Sequence, residues 1–237
     1  MSKRKSEGYA RKLQWLKARF EEGMRIKMLL LPARGFIEYI PGEFAWRGIN
    51  AKGFMVIHCL WVVGQSKGKG YAKLLLDECI NDAKKSNMDG VVMVTSEGNW
   101  LAGKTILLKN GFESVDKSPP SFELLVKKFR DVPSPTFVND IEQRAKKYNS
   151  GITVFRSDQC PYLEDATNTV QVVAKELGLN CKVIELKNAR DVRTVAPSIY
   201  GVFSIVYEGK LLSHHYLLKK DLVEKIKNLD SQPSERK

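Results

Sequence analysis

The chain reads as a mixed α/β (α+β) protein in two units separated by a proline-marked connector. Three observations predict this. An apolar stretch from Gly53 to Val63 (GFMVIHCLWVV), dense in β-branched and aromatic residues, passes through a glycine turn into an amphipathic helix. Further buried-strand patterns recur at Asp89–Thr95 (DGVVMVT) and Phe122–Lys128 (FELLVKK). Beyond Asp131–Thr136 (DVPSPT) a second series of strands and helices begins.

In chain order, Tyr9–Phe20 is an amphipathic helix, and no earlier strand is evident. Gly35–Ile40 (GFIEYI) precedes the central strand. After the turn, Leu74, Leu75, Cys79, Ile80 and Ala83 recur at helical spacing, with Asp77, Asp82, Lys84 and Lys85 on the other face. Asn99–Lys109 reads as a helix closed by Asn110 and Gly111, a natural C-terminal stop. A short charged helix is expected over Val138–Tyr148. Then come a strand at Ile152–Phe155, a helix over Pro161–Leu177, and strands at Cys181–Leu186 and Val202–Tyr207. Lys210–His215 is the hairpin partner across a Glu208–Gly209 turn, and Lys219–Leu229 a final helix. The domains are expected at 1–130 and 151–237, with 131–150 as the connector and its helix.

The turn Val62–Ala72 (VVGQSKGKGYA) carries the chemistry. A strand feeding a glycine turn that opens a helix presents unpaired N–H groups at the positive end of the helix dipole, where phosphate binds. A nucleotide P-loop would end in Gly-Lys-Ser/Thr, which is absent; a dinucleotide fingerprint fails at its third glycine in Gly68–Lys73. A basic solvated turn is the plain alternative. Lys67–Ala72 (KGKGYA) resembles the coenzyme A loop of the GNAT acetyltransferases, written Q/R-x-x-G-x-G/A, with Lys67 in the first position; Gln65–Gly70 is a second register. Leu60–Gly64 (LWVVG) matches the family's preceding strand signature with Gly64 for its proline, and Gly111-Phe112 matches the pair that ends its second motif. The resemblance covers roughly residues 25–130.

That resemblance implies acetyl-CoA as cosubstrate, held by Val62, Val63, Lys67, Gly68, Lys69, Gly70, Tyr71, Ala72 and Asn99. It implies direct attack of an amine, from a small molecule or a protein, on the thioester carbonyl, with the oxyanion near Val62 and Val63. The general base is His58 or Glu38, with Glu43 a weaker choice; a buried, structural His58 is the alternative. Tyr39, Phe44, Trp46 and Trp100 are candidates to line the acceptor pocket or to fill a core. Two departures stand out. Leu107 falls where many relatives carry a proton-donating tyrosine, and Trp100 where they often carry an asparagine, Asn99 being adjacent. The family's opening strand and helix pair are not evident, so an abbreviated N-terminus or a start within a longer reading frame is expected.

The β-α-β…β-β-α order after the connector is thioredoxin-like. In Arg156–Leu163 (RSDQCPYL), Cys160 stands where thioredoxins place their reactive cysteine, with Pro161 next, but Leu163 replaces the second cysteine. This part is similar to the YoaP-like domain that follows a GNAT domain in certain bacterial proteins. Cys160 is therefore a possible reactive thiol, or a packed remnant of the fold. His214 and His215, adjacent on an expected strand, would point to opposite faces.

Composition frames these readings. The 237 residues, 43% hydrophobic, suffice for two cores, and no apolar run approaches membrane-spanning length. Basic Lys3–Lys5 is followed by no signal-peptide core, and four scattered cysteines fit a reducing cytoplasm. Half of the +12 charge lies in residues 1–50 (11 Lys/Arg against 5 Asp/Glu), without a nucleic-acid motif. Nucleic acid is therefore not the expected partner, and Lys67, Lys69, Lys73 and Lys104 suit cofactor phosphates. No metal site is expected. Three functions remain: an N-acetyltransferase, a non-catalytic acyl-CoA sensor, and a thiol-dependent protein acting through Cys160.

Overall fold

The computed structural model describes residues 6–97 and 101–231. Along the first part of the chain lie α1 (Glu7–Glu21), β1 (Arg25–Met28), β2 (Gly35–Pro41), β3 (Ile49–Asn50), β4 (Phe54–Val62), α2 (Tyr71–Lys85) and β5 (Gly90–Ser96). They are followed by α3 (Thr105–Lys109), β6 (Glu113–Ser118), β7 (Phe122–Lys128) and β8 (Thr136–Phe137). The remainder comprises α4 (Ile141–Lys146), β9 (Ile152–Arg156), α5 (Leu163–Glu176), β10 (Cys181–Glu185), α6 (Ala189–Thr194), β11 (Phe203–Tyr207), β12 (Lys210–Ser213) and α7 (Lys219–Asp230).

The chain packs as two units: Lys17–Asn139 with Asn188–Arg193, and Met1–Leu16 with Asp140–Lys187 and Thr194–Lys237. This division differs from the expected one at three places. Asn188–Arg193, expected in the second domain, is grouped with the first unit, where Arg193 Nη1 donates to the Glu43 carbonyl at 2.9 Å. The proline connector ends inside the first unit, because β8 pairs with β3 and the Phe137 N–H donates to Asp116 Oδ2 at 2.8 Å. The start of α1 belongs to the second unit, where Arg11 Nε meets Asp158 Oδ1 at 2.8 Å and Arg11 Nη2 meets Glu185 Oε1 at 2.5 Å.

The first unit is built on a six-stranded sheet ordered β1-β2-β4-β5-β7-β6, in which only β4 and β5 run parallel. Helix α2 lays Leu75, Leu76, Cys79, Ile80 and Ala83 against Ile37, Tyr39, Met55, Ile57, Val91 and Met93. This corrects the expected stripe at Leu74, which is exposed while Leu76 is buried, and at Asp82, expected on the polar face but buried. Tyr39 Oη donates to Asp82 Oδ2 at 2.5 Å, and Arg25 and Lys27 also reach that carboxylate, at 2.9 and 3.1 Å. Burial alone would raise the Asp82 pKa, but these three donors outweigh it and bring it down to about 2. The expected helix at 99–109 is shorter: residues 98–100 lie outside the described part, and regular helix starts only at Thr105, after Gly103. Its end is as read. The Gly111 N–H donates to Leu108 O and the Phe112 N–H to Leu107 O, a Schellman closure with Gly111 at φ +77°. Strand β6 escaped the sequence reading because it is a polar edge strand, ESVDKS.

The second unit holds a four-stranded sheet ordered β10-β9-β11-β12, with β10 parallel to β9 and the other pairs antiparallel. Helices α5 and α7 cover it with Leu163, Val170, Val173, Leu222 and Ile226 on Val154, Phe203 and Ile205. Glu208 and Gly209 both take positive φ, +47° and +74°, making the two-residue hairpin turn the sequence announced. The histidines depart from expectation. β12 ends at Ser213, whose hydroxyl bonds the His215 carbonyl at 3.0 Å, so His214 and His215 lie in a bend. Their rings touch at 5.3 Å instead of facing apart. Burial first, then the neighbouring His215 and Lys225, hold the His214 pKa down at about 4.

Candidate functional site

The glycine turn sits at the C-terminal end of β4. A short 3-10 turn, Gly64–Ser66, leads to Lys67, and Gly70 stands immediately before α2 in the left-handed region, φ +79°. Gly68 is at φ +76°, so the backbone itself favours glycine at both positions. A Cβ built on Gly64, Gly68 or Gly70 would meet nothing among the described residues within 4 Å. Packing within the protein therefore does not exclude a side chain here; the glycines leave open the space above the helix end. No side chain caps α2, so the first-turn amides of Tyr71, Ala72 and Lys73 face that space at the positive end of the dipole. The turn is pinned from behind: the Arg34 N–H donates to Ser66 Oγ at 2.9 Å, and Arg34 O accepts from the Val63 N–H at 3.2 Å.

Beside this cradle the sheet opens. The parallel pairing of β4 with β5 runs from Phe54↔Gly90 to Ile57↔Met93 and stops, although the strands continue to Val62 and Ser96. On its other edge β4 carries a bulge: Glu38 pairs with Cys59 but Tyr39 with Ile57, leaving His58 as the extra residue. The bulge resets the side-chain alternation, so that Met55 and Ile57 face α2 before it and Leu60 after it. Both acid–base candidates lie at this point. Glu38 and His58 are 3% and 2% exposed, with Glu38 Oε1 at 3.6 Å from His58 Nδ1. The Trp46 N–H donates to His58 Nε2 at 2.9 Å. A backbone amide only donates, so Nε2 is the nitrogen without a proton and Nδ1–H is turned to Glu38.

Other expected residues are placed as follows. The Val63 amide is taken up by Arg34, which removes it as an oxyanion donor; Val62 is half-buried opposite Gly35. Lys67 and Lys69 are exposed on the turn, whereas Lys73 pairs with Asp77 at 2.5 Å and Lys104 pairs with Glu123. Tyr39 and Trp46 are core residues, not pocket lining, because α2 covers the first and Arg19 stacks over the second at 5.1 Å. Phe44 is exposed, and Glu43 Oε1 accepts from the Gly53 N–H at 3.2 Å. Leu107 is fully buried in the α2 core, which accounts for its apolar character. Asn99 and Trp100 lie outside the described residues. Cys160, in the second unit, is half-buried just before α5, and no disulfide joins the four cysteines. The sequence reading missed Arg47, buried beside His58; a single arginine in a loop carries no periodic signal that would have marked it.

An α/β sheet whose two parallel strands part beside an uncapped helix N-terminus defines a class of domain in which a phosphorylated ligand could lie along an open strand edge. The chain is 34% identical over 209 residues to an uncharacterized N-acetyltransferase, YoaP, of Bacillus subtilis (strain 168), covering 87% of this chain and 82% of that protein. It belongs to the GNAT family of N-acetyltransferases, whose acyl donor is acetyl-CoA. No protein-family model matches it. Among solved structures it is similar to the PaiA N-acetyltransferase of Thermoplasma acidophilum in complex with coenzyme A, at 23% identity and TM-score 0.33, covering 40% of this chain and 53% of that one. It is also similar to the ribosomal-protein-alanine N-acetyltransferase of Brucella melitensis, at 21% identity and TM-score 0.39, covering 51% and 78%. Family membership rests on the YoaP relationship alone. No helix among the described residues is long and apolar enough to cross a membrane.

Proposed function

We propose that the protein transfers the acetyl group of acetyl-CoA to an amine, of a small molecule or a protein, using the first unit as its catalytic domain. The observation that carries this is the coincidence, at one end of β4, of an uncapped helix N-terminus behind an open glycine turn and a gap between parallel strands. The cofactor's pyrophosphate is held by the amides of Gly68–Ala72, with Lys67 and Lys69 supplying charge. Its pantetheine arm runs into the gap between β4 and β5. The amine attacks the thioester carbonyl directly; β4 amides left without a β5 partner stabilise the oxyanion.

Glu38 is the general base and His58 its orienting partner. This ordering follows from hydrogen bonding: His58 Nε2 already accepts the Trp46 N–H, whereas the Glu38 carboxylate has several lone-pair sites. With Leu107 buried and aliphatic, the proton for the departing thiolate comes from water or from another side chain. The second unit's strand order and its β-α-β-α-β-β-α succession support a thioredoxin-like, YoaP-like reading, with Cys160 where a reactive thiol would stand. The function expected of the whole chain is that of a cytoplasmic enzyme.

The test is calorimetric titration with acetyl-CoA, followed by thiol release with a panel of amines. Wild type should bind and turn over; Glu38→Gln should bind with unchanged affinity and lose about 100-fold or more in kcat. Failure of wild type to bind would refute the reading.

A further inference from the structure

Between β2 and β3 the chain passes over His58, and it does so with a buried cation. Arg47 is 2% exposed. Its Nη1 donates to the Trp46 carbonyl and its Nη2 to the His58 carbonyl, each at 2.7 Å. A guanidinium stays charged and is costly to bury, so its partners indicate why it is there. His58 follows the last residue of β4 that pairs with β5, and it is the extra residue in the β2–β4 register. A bulge disrupts the ladder and leaves its extra residue outside regular strand pairing. Arg47 meets the carbonyl at that point, while its neighbour Trp46 gives its N–H to the His58 ring. One dipeptide thus grips the main chain and the side chain of His58 together.

We infer that Arg47 is a positioning residue for acetyl transfer: by holding the bulged peptide through the His58 carbonyl, it sets the angle at which His58 presents Nδ1–H to Glu38. This rests on the acetyltransferase reading, and nothing in the GNAT resemblance assigns it. Replacing Arg47 lets the bulge relax, moves the ring by a fraction of an ångström, and misplaces the carboxylate that takes the amine proton. The cofactor cradle, built on Gly68–Ala72, is untouched.

The test uses the full-length protein with Arg47→Met, Arg47→Lys and His58→Gln. Imidazole 15N spectra are simple to assign, since the chain has 3 histidines and His58→Gln identifies one of them. Wild type should show His58 as a single Nδ1–H tautomer. Arg47→Met should show mixed, exchanging tautomers, with kcat down by about 100-fold and acetyl-CoA Kd within about threefold of wild type. Adding Arg47→Met to His58→Gln should cost little more, because Arg47 acts through His58. Arg47→Lys, keeping a donor for one carbonyl, should fall between. Should Arg47→Met not fold, Arg47→Lys answers the same question by the same spectra. An unchanged His58 tautomer in a folded Arg47 variant overturns the proposal. So does a parallel fall of kcat and affinity, or full additivity with His58→Gln. A wild type with the fixed tautomer but no acetyl-CoA consumption instead overturns the transferase reading, and with it any catalytic consequence of Arg47.

Discussion

Gly70→Ala separates what the glycine turn does for the fold from what it does for the ligand. Gly70 sits at φ +79°, and an added Cβ meets nothing among the described residues within 4 Å. The only cost to the free protein is the left-handed backbone, about 1 kcal/mol for an L-residue, or roughly 2–4 °C in Tm for a chain of this size. Gly178, after α5, supplies the matched control: φ +67° and again nothing within 4 Å of a built Cβ. Both alanine variants should lose the same stability. Their acetyl-CoA affinities should differ sharply. A methyl at Gly70 stands in the space above the α2 amides, and losing a hydrogen bond from them to an ionised phosphate costs about 1.5–3 kcal/mol, a factor of roughly 10–100 in Kd. Gly70→Glu adds like-charge repulsion and should abolish measurable binding. Calorimetry with acetyl-CoA reads the affinity, and thermal melts without ligand read the stability. Wild-type affinity in Gly70→Ala, or an equal loss in Gly178→Ala, would refute the cradle.

Asp82→Asn should lower stability by about 2 kcal/mol at pH 7, since the folded carboxyl titrates at about 2 against an ordinary 3.8. The carboxyl's pKa is depressed by folding, so its contribution is present above pH 4 and fades towards pH 2. Urea midpoints for wild type and variant should therefore converge there, and a constant gap would contradict the ion cluster. His214, neutral in the fold with a pKa of about 4, takes up its proton more readily when unfolded. Stability should then fall as pH drops from about 6.5 to 4, by about 3 kcal/mol, and His214→Gln should flatten that limb in pH-dependent melts. Gly8→Ala opposes helix propensity to packing. Alanine is the better helix former by about 1 kcal/mol, but its Cβ would lie 2.2 Å from the Pro161 carbonyl oxygen. A net loss of about 1–3 kcal/mol in denaturant unfolding is expected; a stabilised variant would show that α1 does not pack there.

The elements that the sequence marked most clearly are those whose pattern is local. Strands β4, β5 and β7, the Gly111 stop, the Glu208–Gly209 turn and the α2 stripe, apart from Leu74 read in place of Leu76, each follow from spacing or from the conformational freedom of glycine. Polar β6 carries no such pattern, since an edge strand need not bury alternate residues, and only its pairing with β7 reveals it. The histidines were misplaced because KLLSHH continues as a strand by propensity, whereas the Ser213 hydroxyl ends it. For the connector, proline content suggested a boundary, but a buried Phe137 drew its end into the first unit.

At the site the division is sharper. The glycine turn before α2 and its exposed lysines were legible, and His58 and Glu38, chosen by residue type, lie together as buried neighbours 3.6 Å apart. How the proposed base and its partner are oriented was not legible. That depends on a one-residue bulge in β4, on the end of its pairing with β5, and on Trp46 and Arg47 arriving from another segment to grip His58. Sequence spacing determines what a backbone can present to a ligand within one turn. Only tertiary packing decides which lone pair of a buried side chain is already used, because the groups that use it lie elsewhere in the chain.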